Sequence, residues 1–222
     1  MADYLIDPHT GGSVAVAGAP LAGALAVVIL VHGRGASAEG MLDLARHFWR
    51  DDVAYLAPQA AGATWYPHSF LAPITRNEPG LSSALWVLDG LVEQAGAAGV
   101  PAERVLLVGF SQGACLALEF AARHPRRYGG VAALSGGLIG SGEHPGAPPP
   151  DDKAFVYPGS LAGTPVLLGC SDNDPHIPVA RVHRSAEVLT ALGAVVDKRI
   201  FPGMGHTVHP DEIAVIEGWL GG

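Results

Sequence analysis

A serine between glycines can serve as a nucleophile if the chain holds its hydroxyl clear of its neighbours. Gly109-Phe110-Ser111-Gln112-Gly113 offers such a serine, between the apolar run Val105-Leu106-Leu107-Val108 and a helical segment starting at Gln112. In a chain with 30 glycines the five-residue pattern is weak alone, and a glycine-lined turn with a serine helix cap is its bland counterpart. Its place between a strand and a helix favours chemistry, because a sharp turn there needs small flanking residues and projects the serine above the sheet.

A serine hydroxyl attacks a carbonyl only when a base takes its proton, so a histidine is required, with an acid to orient it and chain order serine, acid, histidine. His206 answers this in Phe201-Pro202-Gly203-Met204-Gly205-His206, directly after a strand and before the last helix. Other histidines fit worse: His209 precedes Pro210 as a helix flank, His124 ends a helix, and His9, His144 and His183 lie far from any strand end. The acid belongs after the preceding strand, where Cys170-Ser171-Asp172-Asn173-Asp174-Pro175 supplies two aspartates. Position alone leaves Asp172 and Asp174 even, and the unused one reads as a loop cap.

The chemistry also needs two backbone N–H groups aimed at the oxygen that gains charge. One is the N–H of Gln112, after the serine, and the other belongs to the loop following the first central strand. His32-Gly33-Arg34-Gly35 stands there, with glycines that let backbone approach a substrate.

The elements that must carry these loops alternate in type. Apolar runs at Ala26 to Val31, Val53 to Leu56, Arg104 to Phe110, Gly130 to Leu134, Pro165 to Gly169 and Val195 to Phe201 read as strands, with a short one near Ser13 to Ala17. Helical spacing marks Ala38 to Trp49, Leu81 to Ala95, Gln112 to Arg123, Val179 to Leu192 and Pro210 to Leu220. Residues 59 to 79 read as an irregular aromatic stretch, and 136 to 164 as a Gly/Pro-rich one with no helical period. The pattern predicts an α/β fold with a mostly parallel sheet covered by helices on both faces, in one domain over residues 1–222. Ligands of such sheets bind beyond the carboxyl ends of the strands, where all the groups above fall.

Composition narrows the partners. The 222 residues are 49% hydrophobic and 15% charged, and 13 basic against 21 acidic side chains give −8. No basic cluster tracks a phosphate backbone, which argues against nucleic acid. The uncharged run from Thr10 to Val31 is Ala/Gly-rich in its first half, is broken by Pro20, and has Asp3 and Asp7 ahead of it, so it reads neither as a membrane span nor as an export signal. Cys115 and Cys170 read as buried thiols in a reducing cytosol, and the expectation is a cytoplasmic monomer or homodimer. No Cys/His spacing suggests zinc, and the chemistry needs no metal or cofactor.

With these pieces in place the chain resembles the α/β-hydrolases, and most closely the phospholipase/carboxylesterase branch that includes bacterial carboxylesterases and acyl-protein thioesterases. The resemblance covers nearly the whole chain, through Leu30-Val31-His32-Gly33-Arg34-Gly35, the Ser111 pentapeptide, His124-Pro125-Arg126-Arg127-Tyr128, Ala133-Leu134-Ser135-Gly136, Asp174-Pro175-His176-Ile177-Pro178 and Gly205-His206. It implies a three-layer α/β-hydrolase fold without a lid domain. It also selects Asp174 over Asp172 as the acid and puts the second oxyanion donor on the Arg34 N–H. The branch often has an apolar residue where Arg34 stands, and Gly where Ser171 stands.

The reaction implied is acyl transfer to water through an acyl-enzyme, on a small ester or thioester. Alternatives are a lysophospholipase or acyl-protein thioesterase and, in another class, a ligand-binding receptor or pseudoenzyme on the same fold. Trp65, Tyr66 and Phe70, with His68 and Leu71, fall on the reactive edge and could wall an acyl or aryl pocket, or simply pack their own loop onto the body. Arg34 and Arg76 offer cations to a substrate carboxylate, although solvated arginines are commoner.

Overall fold

The computed structural model describes residues 7–141 and 155–221. Seven strands form one sheet: β1 (Val14–Gly18), β2 (Ala26–Val31), β3 (Val53–Pro58), β4 (Val105–Phe110), β5 (Gly130–Leu134), β6 (Pro165–Ser171) and β7 (Val195–Phe201). Their spatial order is β1-β3-β2-β4-β5-β6-β7, and every neighbouring pair is parallel except β1 with β3. This is the mostly parallel sheet that the alternation predicts, in the α/β-hydrolase arrangement that the resemblance implies.

Helices cover both faces, which is why the central strands are apolar throughout rather than alternating. All six residues of β2 are buried. Val27, Ile29 and Val31 face the layer of α3 (Gly80–Ala97) and α4 (Gln112–Arg123), and α5 (Val179–Ala191) covers β6 and β7. Val28 and Leu30 face the opposite layer, with Met41 of α1 (Ala38–Ala45) and Ile216 and Leu220 of α6 (Pro210–Gly221). A one-turn helix, α2 (Ile74–Asn77), interrupts the aromatic stretch. Helix α4 runs directly behind Ser111 and buries eleven of its twelve residues, so the segment following that serine is fixed in the core.

Among the boundaries that differ from the sequence expectation, three have a clear tertiary reason. The helix predicted to reach Trp49 ends at Ala45 and continues as a 3-10 turn, Arg46–Phe48. There Tyr55 of β3 takes over: its hydroxyl donates to the Phe48 carbonyl and accepts from the Arg50 N–H, and Trp49 stacks on its ring at 4.6 Å. β3 runs on to Pro58 because β1 pairs with it up to Val14↔Pro58. β6 reaches Ser171 because β7 pairs with it to Ser171↔Phe201. Of the stretch predicted to lack a lid helix, residues 136–141 and 155–164 contain no helix, and 142–154 lie outside the described residues. Among the described residues no helix is long and apolar enough to cross a membrane.

Candidate active site

Ser111 sits between β4 and α4 with φ 54 and ψ −117, a backbone conformation that is strained for any residue but glycine. The two glycines of the pentapeptide make the turn sterically feasible. A Cβ on Gly109 would lie 2.3 Å from the Gly113 carbonyl oxygen, and one on Gly113 would lie 2.1 Å from the Val31 carbonyl oxygen. Backbone meets backbone at both places, so neither contact can be relieved by moving a side chain.

His206 and Asp174 reach Ser111 from the two neighbouring strands. β6 and β7 end in register, so the loops carrying the acid and the histidine leave the sheet side by side. The His206 Nε2 is 2.8 Å from the Ser111 Oγ, and its Nδ1 is 2.7 Å from the Asp174 Oδ2. The Asp174 side chain is fully buried, while 19% of the His206 side chain remains accessible, the part that faces the cavity. Burial pushes the Asp174 carboxyl up, but His206 and the N–H groups of His176 and Ile177 donate to it, and the net direction is below the ordinary carboxylate range. It therefore stays ionised beside the imidazole. The ring itself is held by Phe110 at 5.0 Å and by the edge of His176 at 4.8 Å.

Asp172 does not touch His206. Its Oδ1 accepts the Gly203 N–H at 2.8 Å, while the Ser171 Oγ accepts the Gly205 N–H at 3.0 Å, and Asn173 Oδ1 also faces that N–H at 3.3 Å. The loop that carries the acid thus also grips the loop that carries the histidine. Sequence reasoning assigned Asp172 only as a generic cap and gave Ser171 no role. The available signal was that Ser171 stands where relatives of this type often have Gly.

On the other side of Ser111, the loop after β2 closes in, and a Cβ on Gly33 would stand 3.3 Å from the Ser111 Cβ. Among the described residues neither the Arg34 nor the Gln112 N–H is taken by a protein acceptor, and Gln112 opens α4, where first-turn donors lack helical partners. Their side chains are engaged elsewhere. Gln112 accepts from the Trp65 N–H at 2.9 Å and donates to the Tyr66 carbonyl at 2.8 Å. Arg34 donates to Thr64 Oγ1 and to the carbonyls of Tyr66, Pro67 and His68 at 2.7–3.1 Å. His32 completes the support. Its Nδ1 faces the Gly33 carbonyl at 2.7 Å and its Nε2 accepts the Ala60 N–H at 3.1 Å, so the ring carries its proton on Nδ1, and burial lowers its pKa.

A cavity of about 660 Å³ opens over Ser111. Tyr66, Phe70, Phe110, Cys115 and Ile177 supply its apolar wall, and Arg34, His68 and His176 stand on the same lining. Two of the three aromatic residues predicted to wall a pocket are therefore in it. Trp65 is not. It is wholly buried, its indole N–H donates to the His32 carbonyl at 2.9 Å, and it holds up the loop from behind. Leu71 packs against the core, and Arg76, on α2, does not line the cavity. Among the described residues no group of three His, Cys, Asp or Glu side chains could hold a metal ion.

The sequence profile of the phospholipase/carboxylesterase family matches residues 15–221. The chain belongs to that family. Within it, the chain is similar to the acyl-protein thioesterase 1 of Gibberella zeae, 29% identical over 216 residues, with 88% of this chain and 89% of that protein covered. Among solved structures it is similar to a phospholipase/carboxylesterase from Dyadobacter fermentans DSM 18053, 39% identical with a TM-score of 0.85 over 93% of this chain and 95% of that one. It is also similar to esterase PE8, 27% identical with a TM-score of 0.73 over 94% and 97% of the two chains. As a member of the phospholipase/carboxylesterase family, the protein is a hydrolase of the carboxylesterase and thioesterase type.

Proposed function

We propose that the protein cleaves carboxylic esters of short to medium acyl or aryl groups through an acyl-enzyme, with Ser111 as nucleophile, His206 as base and acid, and Asp174 orienting His206. The observation that carries this reading is the unbroken hydrogen-bond chain from the buried Asp174 through His206 to Ser111, ending at a strained, glycine-flanked turn inside a cavity. The Ser111 Oγ attacks the carbonyl carbon while its proton passes to the His206 Nε2. The bond to the leaving oxygen or sulfur then breaks, and His206 returns the proton to it. Water repeats the sequence on the acyl-enzyme, releasing the carboxylic acid and free serine. The N–H groups of Gln112 and Arg34 supply the oxyanion contacts, each worth about 3 kcal/mol in the transition state. Tyr66 and Phe70 wall the acyl site.

Thioester cleavage is the second reading, favoured by relatives named acyl-protein thioesterase 1. The test is a p-nitrophenyl butyrate burst in the wild type that vanishes in Ser111→Ala, followed by a panel of esters and thioesters varied in acyl length and leaving group. Equal slow release by wild type and Ser111→Ala would instead mark a binding protein on a hydrolase fold.

A further inference from the structure

The charge of the cavity runs against the charge of the chain. The protein carries a net −8, yet among the described residues the cavity lining holds Arg34, His68, His176 and His206 and no carboxylate. Of the other ten arginines, six (Arg46, Arg50, Arg123, Arg126, Arg184 and Arg199) lie within 4 Å of an aspartate or glutamate. Arg34 is exposed at the cavity and faces only neutral acceptors, three carbonyls and one hydroxyl.

That arrangement fixes a charge without neutralising it. Four hydrogen bonds from the two terminal nitrogens hold the guanidinium in one place, so it does not swing away into solvent. Gln112 anchors the same loop to α4, so the acceptors hold still as well. A guanidinium already fixed in place attracts an anion more strongly than a mobile surface arginine does, because it loses little side-chain freedom on binding. The residue before Arg34, Gly33, lies against Ser111, where an added Cβ would stand 3.3 Å from the Ser111 Cβ. Arg34 therefore lines the same cavity as the nucleophile, and His68 and His176 add ring nitrogens there.

We infer that the cavity selects esters or thioesters that carry a carboxylate a few atoms from the scissile carbonyl, with the Arg34 side chain as the residue that determines this specificity. The inference rests on the hydrolase reading above and names its substrate class. The carboxylate could belong to the acyl part or to the leaving alcohol, and the two are separable by experiment.

Two matched pairs test it. 4-Nitrophenyl monoglutarate against 4-nitrophenyl valerate places the anion on the acyl side, and butyryl glycolate against ethyl butyrate places it on the alcohol side. In at least one pair, Arg34→Met should lower the anionic-to-neutral ratio of kcat/KM about tenfold, mainly through KM, as expected for loss of the cation's attraction and of the Nε–H, the one guanidinium donor that the loop does not use. Arg34→Lys should keep most of the preference. Raising NaCl from 0.05 to 0.5 M should lower the wild-type ratio several-fold, which needs no variant to fold. The inference fails if salt leaves both ratios unchanged, or if Arg34→Met slows both members of each pair equally, since the side chain then only braces the loop. If the wild type turns over none of the four esters, the hydrolase reading fails instead. The anion site is then decided by calorimetry with free glutarate: salt-sensitive binding lost in Arg34→Met supports it, and no binding overturns it.

Discussion

Ser111 divides its surroundings into two unlike halves. The histidine side is assembled from acceptors: Asp172, Asn173 and Ser171 take backbone N–H groups of the loop bearing His206, and Asp174 takes His206 itself. The cavity side is held mainly by donors: the Arg34 and Gln112 side chains grip the carbonyls of residues 66–68, and Gln112 also accepts the Trp65 N–H. Both halves use a side chain on one loop to pin the backbone of another, but with opposite polarity. In the proposed mechanism, negative charge gathers where the imidazolium would form, and positive charge gathers on the side where the oxyanion would form. The fold thus places electrostatic complementarity in the scaffolding as well as in the reacting groups.

If this division is right, damage to the histidine half should appear in kcat and damage to the cavity half in KM. The largest effect is expected for Asp174→Asn, which leaves His206 without the acceptor that sets its tautomer and should cost about 10⁴-fold in kcat. Asp172→Asn, which keeps an acceptor for Gly203, should cost no more than about tenfold. Equal losses in the two variants would exchange or merge their roles, and steady-state kinetics on one ester decides the matter.

A second probe lies beneath the histidine half. Glu212 is wholly buried next to Gly169, its Oε1 has no hydrogen-bond partner among the described residues, and its Oε2 accepts the His209 N–H at the start of α6. Burial pushes its pKa up from 4.5 to about 7, only partly offset by His209 and Arg199. The folded state therefore holds this proton more tightly than the unfolded chain does. The stability that this gives is complete below about pH 4.5 and is lost as pH rises through about 7. Glu212→Gln should gain on the wild type as pH rises, by up to about 3 kcal/mol at pH 8. Urea titrations at pH 5 and pH 8 measure this, and a pH-independent difference would contradict it.

Smaller effects discriminate between the halves more finely. Ser171→Ala leaves the Gly205 N–H only its longer contact to Asn173 Oδ1 and should lower kcat about fivefold with KM nearly unchanged. Gln112→Ala keeps the backbone donor but releases residues 65 and 66, and should raise KM about fivefold with less change in kcat. The opposite pattern in either variant would dissolve the distinction. Both are read from full saturation curves on an ester that reaches Tyr66 and Phe70.

Much of this was legible in the chain. Apolar runs of strand length alternating with helical periods gave the mostly parallel sheet, because burial on both faces leaves a local trace in every central strand. Ser111, His206 and the two loops around them were legible because a nucleophile turn and a histidine loop need glycine at particular places. Between Asp172 and Asp174 the local pattern was silent, and only family resemblance favoured one. The structure puts Asp174 on His206 and Asp172 on Gly203, a choice made by how β6 and β7 end in register. Trp65 shows the converse: an aromatic residue beside a site reads the same whether it faces the cavity or supports it, and the hydrogen bond to the His32 carbonyl turns it inward.

The sequence by itself determined the element types, the order of the sheet's building blocks and the short segments able to react, since these depend on neighbours a few residues apart. Tertiary structure alone decided which acid meets the histidine, which aromatic side chains line the cavity and where the Arg34 charge is held. Those outcomes hang on a few hydrogen bonds between residues some 30 to 95 positions apart, and such pairings leave no periodicity in the chain to read.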